Sequence, residues 1–172
     1  MKALLFLSFM VFSASAEILV SPVEAMRENF SQEAVIHKKN ILLSSKQAQA
    51  VEKKAVVKLR TKIYRTYKAM QDGAVLGYGI LINKKVRSKN AVVLYMIKDG
   101  ILEDIEIIAF NEPREYLPTK AWQEQFKQRA TNKMLKLNRE VASITGATLS
   151  ARSITQGSRI AFALYDEILQ GD

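Results

Sequence analysis

The chain has 172 residues, enough for one domain with its own packed core. It has no cysteine and a single histidine, His37, which excludes disulfides, iron–sulfur clusters, covalently attached haem and a multi-histidine metal site. The formal net charge of +9 favours anionic partners or membrane surfaces.

The basic residues are concentrated in three clusters, which are residues 37–39, 53–54 and 84–89. No recognition helix, zinc-ligand spacing or aromatic-rich strand accompanies them, which argues against a nucleic-acid partner. Two interpretations stay open at this point. The clusters either dock the protein on an acidic partner or an anionic lipid surface, or they are solvated helix faces and a hairpin loop.

The first residues have the pattern of a secretory signal peptide. Lys2 supplies a positive charge, residues 3–12 form an apolar run, and residues 14–16 (Ala-Ser-Ala) fit a cleavage site. The apolar run is shorter than the ~20 residues that a membrane span needs. We therefore predict a cleaved signal over residues 1–16 and a periplasmic or otherwise extracytoplasmic protein. An uncleaved membrane anchor is the alternative.

An N-terminal helical segment is predicted over residues 17–60. Ser21 and Pro22 suit the N-cap and first turn of a helix that begins near Val23. Ser44 can cap a second helix, because the following apolar residues recur on one helical face. Those residues are Ala48, Val51, Ala55 and Leu59.

Beyond Thr61 the pattern favours an antiparallel meander of three or four strands. Asp72-Gly73 and Asp99-Gly100 are hairpin turn signals. The predicted strands around them are a segment beginning near Ile63, then residues 74–83, 91–98 and 101–110. Gly77 and Gly79 flank Tyr78 in the second of these strands, and strand glycines often mark a bulge or a close approach.

After the sheet, an irregular link over residues 111–118 leads to a short helix capped by Thr119 and carrying Trp122 and Phe126 on one face. A further helical piece is predicted around Met134 to Leu137. A long helix is predicted over residues 149–169. The whole pattern predicts an α+β fold, with an antiparallel meander sheet flanked by N-terminal helices and a long C-terminal helix.

The turn before that last helix is the most informative stretch of the chain. Its residues are Thr145, Gly146, Ala147, Thr148, Leu149 and Ser150. A helix start leaves several backbone N–H groups unpaired and carries roughly half a positive charge. Such a start is a ready site for an anion, above all a phosphate.

These residues resemble the attachment motif of the FMN-binding domain family, whose members include subunits of the Rnf and sodium-pumping NADH:quinone reductase complexes. In that family a flavin transferase joins FMN to a threonine through a phosphoester. The resemblance implies an FMN-binding domain over residues 61–172 and FMN on Thr148. It covers the order of elements as well, from Gly77-Tyr78 through Asp99-Gly100 and Glu112-Pro113 to the threonine turn.

What the resemblance implies for the site follows from the same residues. Thr145 to Ser150 would surround the phosphate, with Ser150 or Thr145 donating a hydrogen bond. Tyr78, Tyr116 and Trp122 would wall the flavin ring, with Glu112 close to it. One position departs from the motif, since the family has an aspartate six residues before the modified threonine and this chain has Ala142.

The sequence thus predicts an exported flavoprotein that carries FMN and relays electrons between a membrane redox partner and an extracytoplasmic acceptor. Its partners would be the flavin transferase, a membrane redox complex and an anionic membrane surface. Two alternatives stay open. One is a non-redox module of the same fold that holds an anionic ligand on its basic surface. The other is a small reductase domain with a substrate pocket beside the flavin.

Overall fold

A computed structural model describes residues 19–171, so the signal predicted over residues 1–16 lies outside the described residues. The described chain forms an α+β fold in which helices cover an antiparallel sheet, and this confirms the fold class predicted from the sequence. Between residues 19 and 171, no helix combines the length and the apolar character that a bilayer crossing requires.

The sheet has six strands that lie side by side in chain order, each antiparallel to the next. They are β1 (Val35–Leu42), β2 (Ile63–Gln71), β3 (Ala74–Lys85), β4 (Asn90–Lys98), β5 (Ile101–Phe110) and β6 (Arg129–Ala130). Asp72-Gly73 joins β2 to β3 and Asp99-Gly100 joins β4 to β5. All four turn residues have positive φ, as the two-residue type I′ hairpin requires, so both predicted turns are confirmed.

The helices are α1 (Pro22–Asn29), α2 (Ser45–Ala55), α3 (Lys120–Gln123) and α4 (Thr148–Leu164), and a π-helical turn over Tyr165–Leu169 extends α4. The predicted N-cap Ser44 starts α2, and it forms a reciprocal capping box with Gln47. The Ser44 hydroxyl accepts the Gln47 N–H at 3.2 Å, and the Gln47 side chain accepts the Ser44 N–H at 2.9 Å. The helix predicted to reach Leu59 ends at Ala55, because Val56 adopts a left-handed conformation.

The segment predicted as helical over residues 17–60 contains a strand as well as two helices. β1 lies between α1 and α2 and pairs with β2 along its whole length, from Val35 opposite Met70 to Leu42 opposite Ile63. The segment is therefore part of the central sheet. With β1 and the short β6, the sheet has more strands than the three or four predicted.

The helical piece predicted around Met134 to Leu137 is wrong. This stretch is a tight loop in which the Lys136 N–H donates to the Glu140 carboxylate at 2.8 Å and the Asn138 N–H donates to the Val141 carbonyl at 2.7 Å. Asn138 has a φ of 63°, which ends any helical path.

Helices α2 and α4 pack on one face of the sheet, and α1 packs on the other. Gly157 lets α4 lie close to the sheet, because a Cβ at this position would collide with the Tyr95 hydroxyl. That hydroxyl donates to the Ile154 carbonyl of α4 at 2.8 Å. The absence of a side chain at Gly157 therefore allows this contact between α4 and the sheet.

The strand glycines that flank Tyr78 serve the opposite face of the sheet. A Cβ at Gly77 would collide with the Phe30 ring, and a Cβ at Gly79 would lie 2.5 Å from the Met26 sulfur. Met26 lies in α1, and Phe30 is the C-cap residue of that helix. The close approach predicted from these glycines is therefore made by side chains of the N-terminal helix.

Candidate functional site

A cleft of about 210 Å³ opens at the N-terminal end of α4. Three segments that are far apart in the chain meet there: the loop after β3, the link after β5 and the threonine turn. The lining residues are Val86, Arg87, Glu112, Tyr116, Gly146, Ala147, Thr148, Leu149 and Ser150. We call this space the threonine cleft.

The threonine turn leaves the start of α4 open. Gly146 has a φ of +80°, with open space where a Cβ would stand, so the backbone conformation and not a steric contact calls for glycine. Ala147 is the N-cap residue and no side chain caps the helix. Among the described residues, the first N–H groups of α4, from Thr148 to Ser150, therefore have no side-chain capping acceptor.

Thr148 is the first residue of α4 and is exposed. Its hydroxyl donates to the Ile144 carbonyl at 3.2 Å, which orients the side chain at the mouth of the cleft. Within residues 19–171, Glu112 carries the only carboxylate that lines the cleft. Among the described residues the cleft thus supplies no free base to activate this hydroxyl.

Ser150 also belongs to the lining of the cleft and carries a buried hydroxyl. The residue is 1 % exposed, and its Oγ has no hydrogen-bond partner in the described chain. A buried hydroxyl without a partner costs roughly 1–3 kcal/mol, so native proteins keep such groups rarely and usually for a reason. A ligand oxygen in the cleft would satisfy it.

Arg87 brings a cation to the cleft from the loop between β3 and β4. It is exposed, and the loop that carries it is closed by a 2.9 Å hydrogen bond from the Val86 N–H to the Lys89 carbonyl. The sequence showed Arg87 only as part of a basic cluster, because its proximity to α4 depends on the tertiary fold. Arg87 and Val86 are therefore the site residues that sequence reasoning missed.

Glu112 fixes that loop in place. Its carboxylate accepts the N–H groups of Arg87, Ser88 and Lys89 at 2.9, 2.6 and 2.7 Å, and it accepts the Ser88 hydroxyl at 3.1 Å. These hydrogen bonds, led by that from Lys89, lower the pKa of Glu112 to about 2. Glu112, predicted from the sequence to lie close to the flavin ring, lines the cleft and holds the Arg87 loop in position. Its carboxylate is too engaged and too acidic to serve as a base.

Trp122 lies behind the threonine turn, outside the lining of the cleft. Its indole N–H donates to the Ala142 carbonyl at 2.8 Å, while the Gln125 side chain accepts the Ala142 N–H at 2.8 Å. The ring also packs edge-on against Phe126 with 5.2 Å between centroids. Trp122 is predicted from the sequence to wall the flavin ring, and the structure places it where it anchors the loop that leads to the turn.

Tyr78 lies near the other end of α4. Its ring packs edge-on against Tyr165, 5.8 Å away between centroids, at the point where α4 gives way to the π-helical turn. The 17 residues of α4 span about 25 Å. Tyr78 is therefore remote from the threonine cleft, and among the predicted aromatic walls it is Tyr116 that lines it.

Of the other predicted site residues, Gly146, Ala147 and Leu149 line the cleft, whereas Thr145 is exposed in the turn outside the lining. Leu149 is 41 % exposed, so it offers an apolar wall at the mouth. Within residues 19–171, no group of three acidic or histidine side chains is arranged to hold a metal ion.

No protein-family model matches the chain, and no curated protein matches its sequence. The resemblance to the FMN-binding domain family thus depends on the threonine turn and on the order of the elements around it.

Proposed function

We propose that the protein is an exported flavoprotein that carries FMN in phosphoester linkage to Thr148 and relays electrons between a membrane redox partner and an extracytoplasmic acceptor. The motif resemblance suggests the chemistry. The observation that supports it best is the buried, unpartnered Ser150 hydroxyl, which lies in the same cleft as the exposed Thr148 and the unpaired amides of α4.

The groups of the cleft suit the phosphate of such a cofactor. A phosphodiester keeps a charge of about −1, and a helix start stabilises a nearby anion by roughly 0.3–1 kcal/mol. The Ser150 hydroxyl would donate to a phosphate oxygen. Arg87, held by the Glu112 contacts, would add a charge-assisted hydrogen bond from the opposite side of the cleft.

The remaining walls suit part of an aromatic ring. Tyr116, Val86 and the exposed Leu149 offer apolar surface beside the attachment residue. The cleft is smaller than the roughly 300–1,000 Å³ of pockets that enclose drug-sized ligands, so these residues would cover only part of the ring and leave the rest accessible to redox partners. FMN bound there supplies electron transfer.

Attachment at Thr148 requires an outside enzyme. With Glu112 engaged, the cleft offers no base for the hydroxyl, and a threonine hydroxyl alone is a weak nucleophile. In the transfer the Thr148 oxygen forms the new bond to phosphorus and loses its proton. The phosphoanhydride bond of an activated flavin donor breaks, and the second nucleotide leaves as its monophosphate. A flavin transferase would position both partners and accept the proton.

Production of the protein with and without a flavin transferase tests the proposal. We expect a mass increase that corresponds to FMN, and flavin absorbance that persists through acid denaturation, only when the transferase is present. Thr148→Val should remove both signals because it lacks the hydroxyl. Thr148→Ser is the matched control, because it keeps a hydroxyl on the first residue of α4, and it should retain an adduct.

A colourless protein of unmodified mass, isolated beside a transferase that modifies a known substrate in the same cells, would contradict the proposal. An adduct that forms without any transferase would contradict the external activation of Thr148. An adduct mapped to Thr145 in the wild-type protein would move the attachment away from the open start of α4.

A second function is favoured by the environment of Ala142. Both backbone groups of this residue are occupied by Trp122 and Gln125, and the carboxylate of Glu140 is taken by the Lys136 N–H. No described carboxylate therefore replaces the aspartate of the family motif. A non-redox module that binds an anionic ligand is the corresponding candidate, and it predicts anion binding that survives Thr148→Val in a protein without flavin.

A further inference from the structure

The central sheet divides between β2 and β3 at one end. β1 and β2 remain paired to the first residue of β2, where Ile63 lies opposite Leu42, and β3 and β4 remain paired to Lys85. The pairing between β2 and β3 stops earlier, at Arg65 opposite Leu81. The two strands therefore diverge beyond that pair, and we call the space between them the strand fork.

A cavity of about 250 Å³ occupies the strand fork. Its lining residues are Asn40, Lys58, Arg60, Thr61, Ile63, Tyr64, Arg65, Leu81, Ile82, Asn83, Lys84 and Ile160. Four of these residues are cationic and none carries a carboxylate. Such a lining leaves a positive potential in a partly enclosed space, where field lines are concentrated.

In the described part of the chain, a carboxylate neutralises one of the four cations. Lys58 forms an ion pair with Glu52 at 3.1 Å, and the same carboxylate accepts the Leu59 N–H at 2.8 Å. Arg65 donates to the neutral Asn40 side chain at 3.2 Å. For Arg60 and Lys84, no carboxylate lies within ion-pair distance in the part of the chain that the structure describes.

Lys84 is the most enclosed of these cations. It is half-buried, and burial together with the charges of Arg60 and Arg159 lowers the pKa of its ammonium group. Like charges that crowd together in this way destabilise one another until an anion joins them. An anion in the fork would therefore relieve a repulsion that the unliganded chain carries.

The lining also indicates which anion fits. Guanidinium groups form paired hydrogen bonds with planar and tetrahedral oxyanions, and phosphate is the common tetrahedral one. The apolar wall of Ile63, Leu81 and Ile160 leaves room for a short organic part. The cavity is smaller than the ~300 Å³ at which pockets for drug-sized ligands begin, so the ligand is small or enters by its charged end.

The geometry points to a second anion site in the strand fork, one that takes a phosphate monoester through Arg60, Arg65 and Lys84. It lies apart from the threonine cleft, because Ile160 is about 18 Å along α4 from Thr148. The site does not depend on the proposed flavin, since none of its lining residues belongs to the threonine cleft. The phosphate is either that of a soluble monoester or that of an anionic lipid headgroup.

Titration of the purified protein with inorganic phosphate at low ionic strength, followed by amide NMR shifts, tests the site. We expect saturable shifts at the lining residues of the fork. The double substitution Arg60→Gln with Lys84→Gln should weaken phosphate binding about tenfold or more, which corresponds to the loss of two charge-assisted contacts. Arg60 is exposed and Lys84 is half-buried, and glutamine keeps a polar end at both positions, so the variants should stay folded.

The pair Lys46→Gln with Lys53→Gln is the control matched for net charge, because both lysines are exposed on α2 and are absent from the lining. It should change phosphate affinity less than about twofold. Equal weakening by this control pair and by Arg60→Gln with Lys84→Gln would overturn the site, because it would show that only total charge matters. Phosphate shifts that are absent from the fork in the wild-type protein would overturn it directly.

A vesicle assay separates the two sources of the phosphate. Phosphatidylcholine vesicles with and without phosphatidic acid are sedimented with the protein, and inorganic phosphate or glycerol phosphate is added as a competitor. Retention on the acidic vesicles that the double substitution removes identifies a lipid headgroup. Binding of the soluble monoester without retention identifies a soluble ligand, and failure of both overturns the site.

Discussion

The threonine cleft and the strand fork both border α4, and both are poor in free negative charge. The positive character of the two regions has different sources. In the threonine cleft the positive character comes mainly from helix amides and an unpaired serine hydroxyl, with Arg87 as a single side-chain cation, and the Glu112 carboxylate is engaged by hydrogen bonds from a loop. In the strand fork it comes from side-chain charges around a break in strand pairing.

This difference predicts different kinds of recognition. Amides and a buried hydroxyl act over hydrogen-bond distances and demand a fixed geometry, which suits a cofactor held at one atom. Charged side chains act over longer distances, and salt screens them with a Debye length of about 10 Å at 0.1 M. We expect binding in the strand fork to weaken with salt, whereas a covalent adduct at Thr148 would not respond to it.

The largest expected effect is that a substitution in one region removes the property of that region and leaves the other unchanged. Thr148→Val should abolish the flavin adduct and leave phosphate affinity in the strand fork within about twofold, because the two sites share no lining residue. The double substitution Arg60→Gln with Lys84→Gln should do the reverse. Intact mass and phosphate titration on the same preparations measure both.

Loss of both properties in either variant would show that the two regions form one site. The melting temperature of each variant is the control, since an unfolded variant would lose both properties without informing on their separation.

The next effect tests how the threonine cleft is supported. Glu112→Gln should lower the free energy of unfolding by about 1–3 kcal/mol, because an amide accepts the hydrogen bonds of three loop N–H groups less strongly than a carboxylate. Urea unfolding measures the change. Glu115→Gln, on an exposed neighbour, should change it by less than about 0.5 kcal/mol.

The stability of the wild-type protein and of the same variant should also differ in their dependence on pH. The pKa of Glu112 is lower in the folded state, about 2, than its ordinary value of 4.5. Its contribution to stability is therefore present above the ordinary pKa and is lost as the pH falls from about 4.5 towards 2. Glu112→Gln should flatten the stability curve in this window. An unchanged slope would mean that the loop contacts do not hold the carboxylate ionised.

A smaller effect concerns the backbone of the threonine turn. Gly146→Ala should cost about 1–2 kcal/mol, because a residue with a Cβ is strained at a φ of +80°. Gly146→Asn should cost less, because asparagine tolerates the left-handed conformation. Thermal unfolding compares the two variants. Equal stability of all three proteins would contradict the turn geometry.

The smallest expected effect is a gain in stability. Ser150→Ala should raise the free energy of unfolding of the flavin-free protein by up to about 1 kcal/mol, because it removes a buried hydroxyl that lacks a partner. Ser153→Ala is the contrast, since its hydroxyl donates to the Lys85 carbonyl at 3.2 Å and its loss should destabilise. A loss of stability in Ser150→Ala would mean that the hydroxyl is already satisfied.

The parts of the fold that depend on local chemistry were predictable from the sequence. The Asp-Gly hairpins, the Ser44 capping box and the amphipathic last helix each need only a few neighbouring residues. β1 was missed because seven of its eight residues are not buried, so this edge strand shows no alternation of apolar and polar positions. The helix predicted near Met134 was wrong because a contact with the Glu140 side chain, which no local pattern indicates, holds this stretch in a loop.

The candidate site was predictable in its centre and not in its surroundings. The threonine turn can be recognised in the sequence from its residue types and from the helix that follows it. Glu112, Trp122 and Tyr78 have roles set by distant partners, which are the hairpin loop, the Ala142 carbonyl and Tyr165. The position of Arg87 at the cleft and the existence of the strand fork depend on how strands and helices pack together. No local pattern in the sequence predicts that packing.

The central claim is that Thr148 carries esterified FMN, and the intact mass of the protein isolated from its own cells tests it most directly. We predict a chain that has lost residues 1–16 and gained the mass of one FMN, with fragmentation placing the addition on Thr148. A chain of unmodified mass at that residue, from cells in which the flavin transferase is active, would contradict the claim.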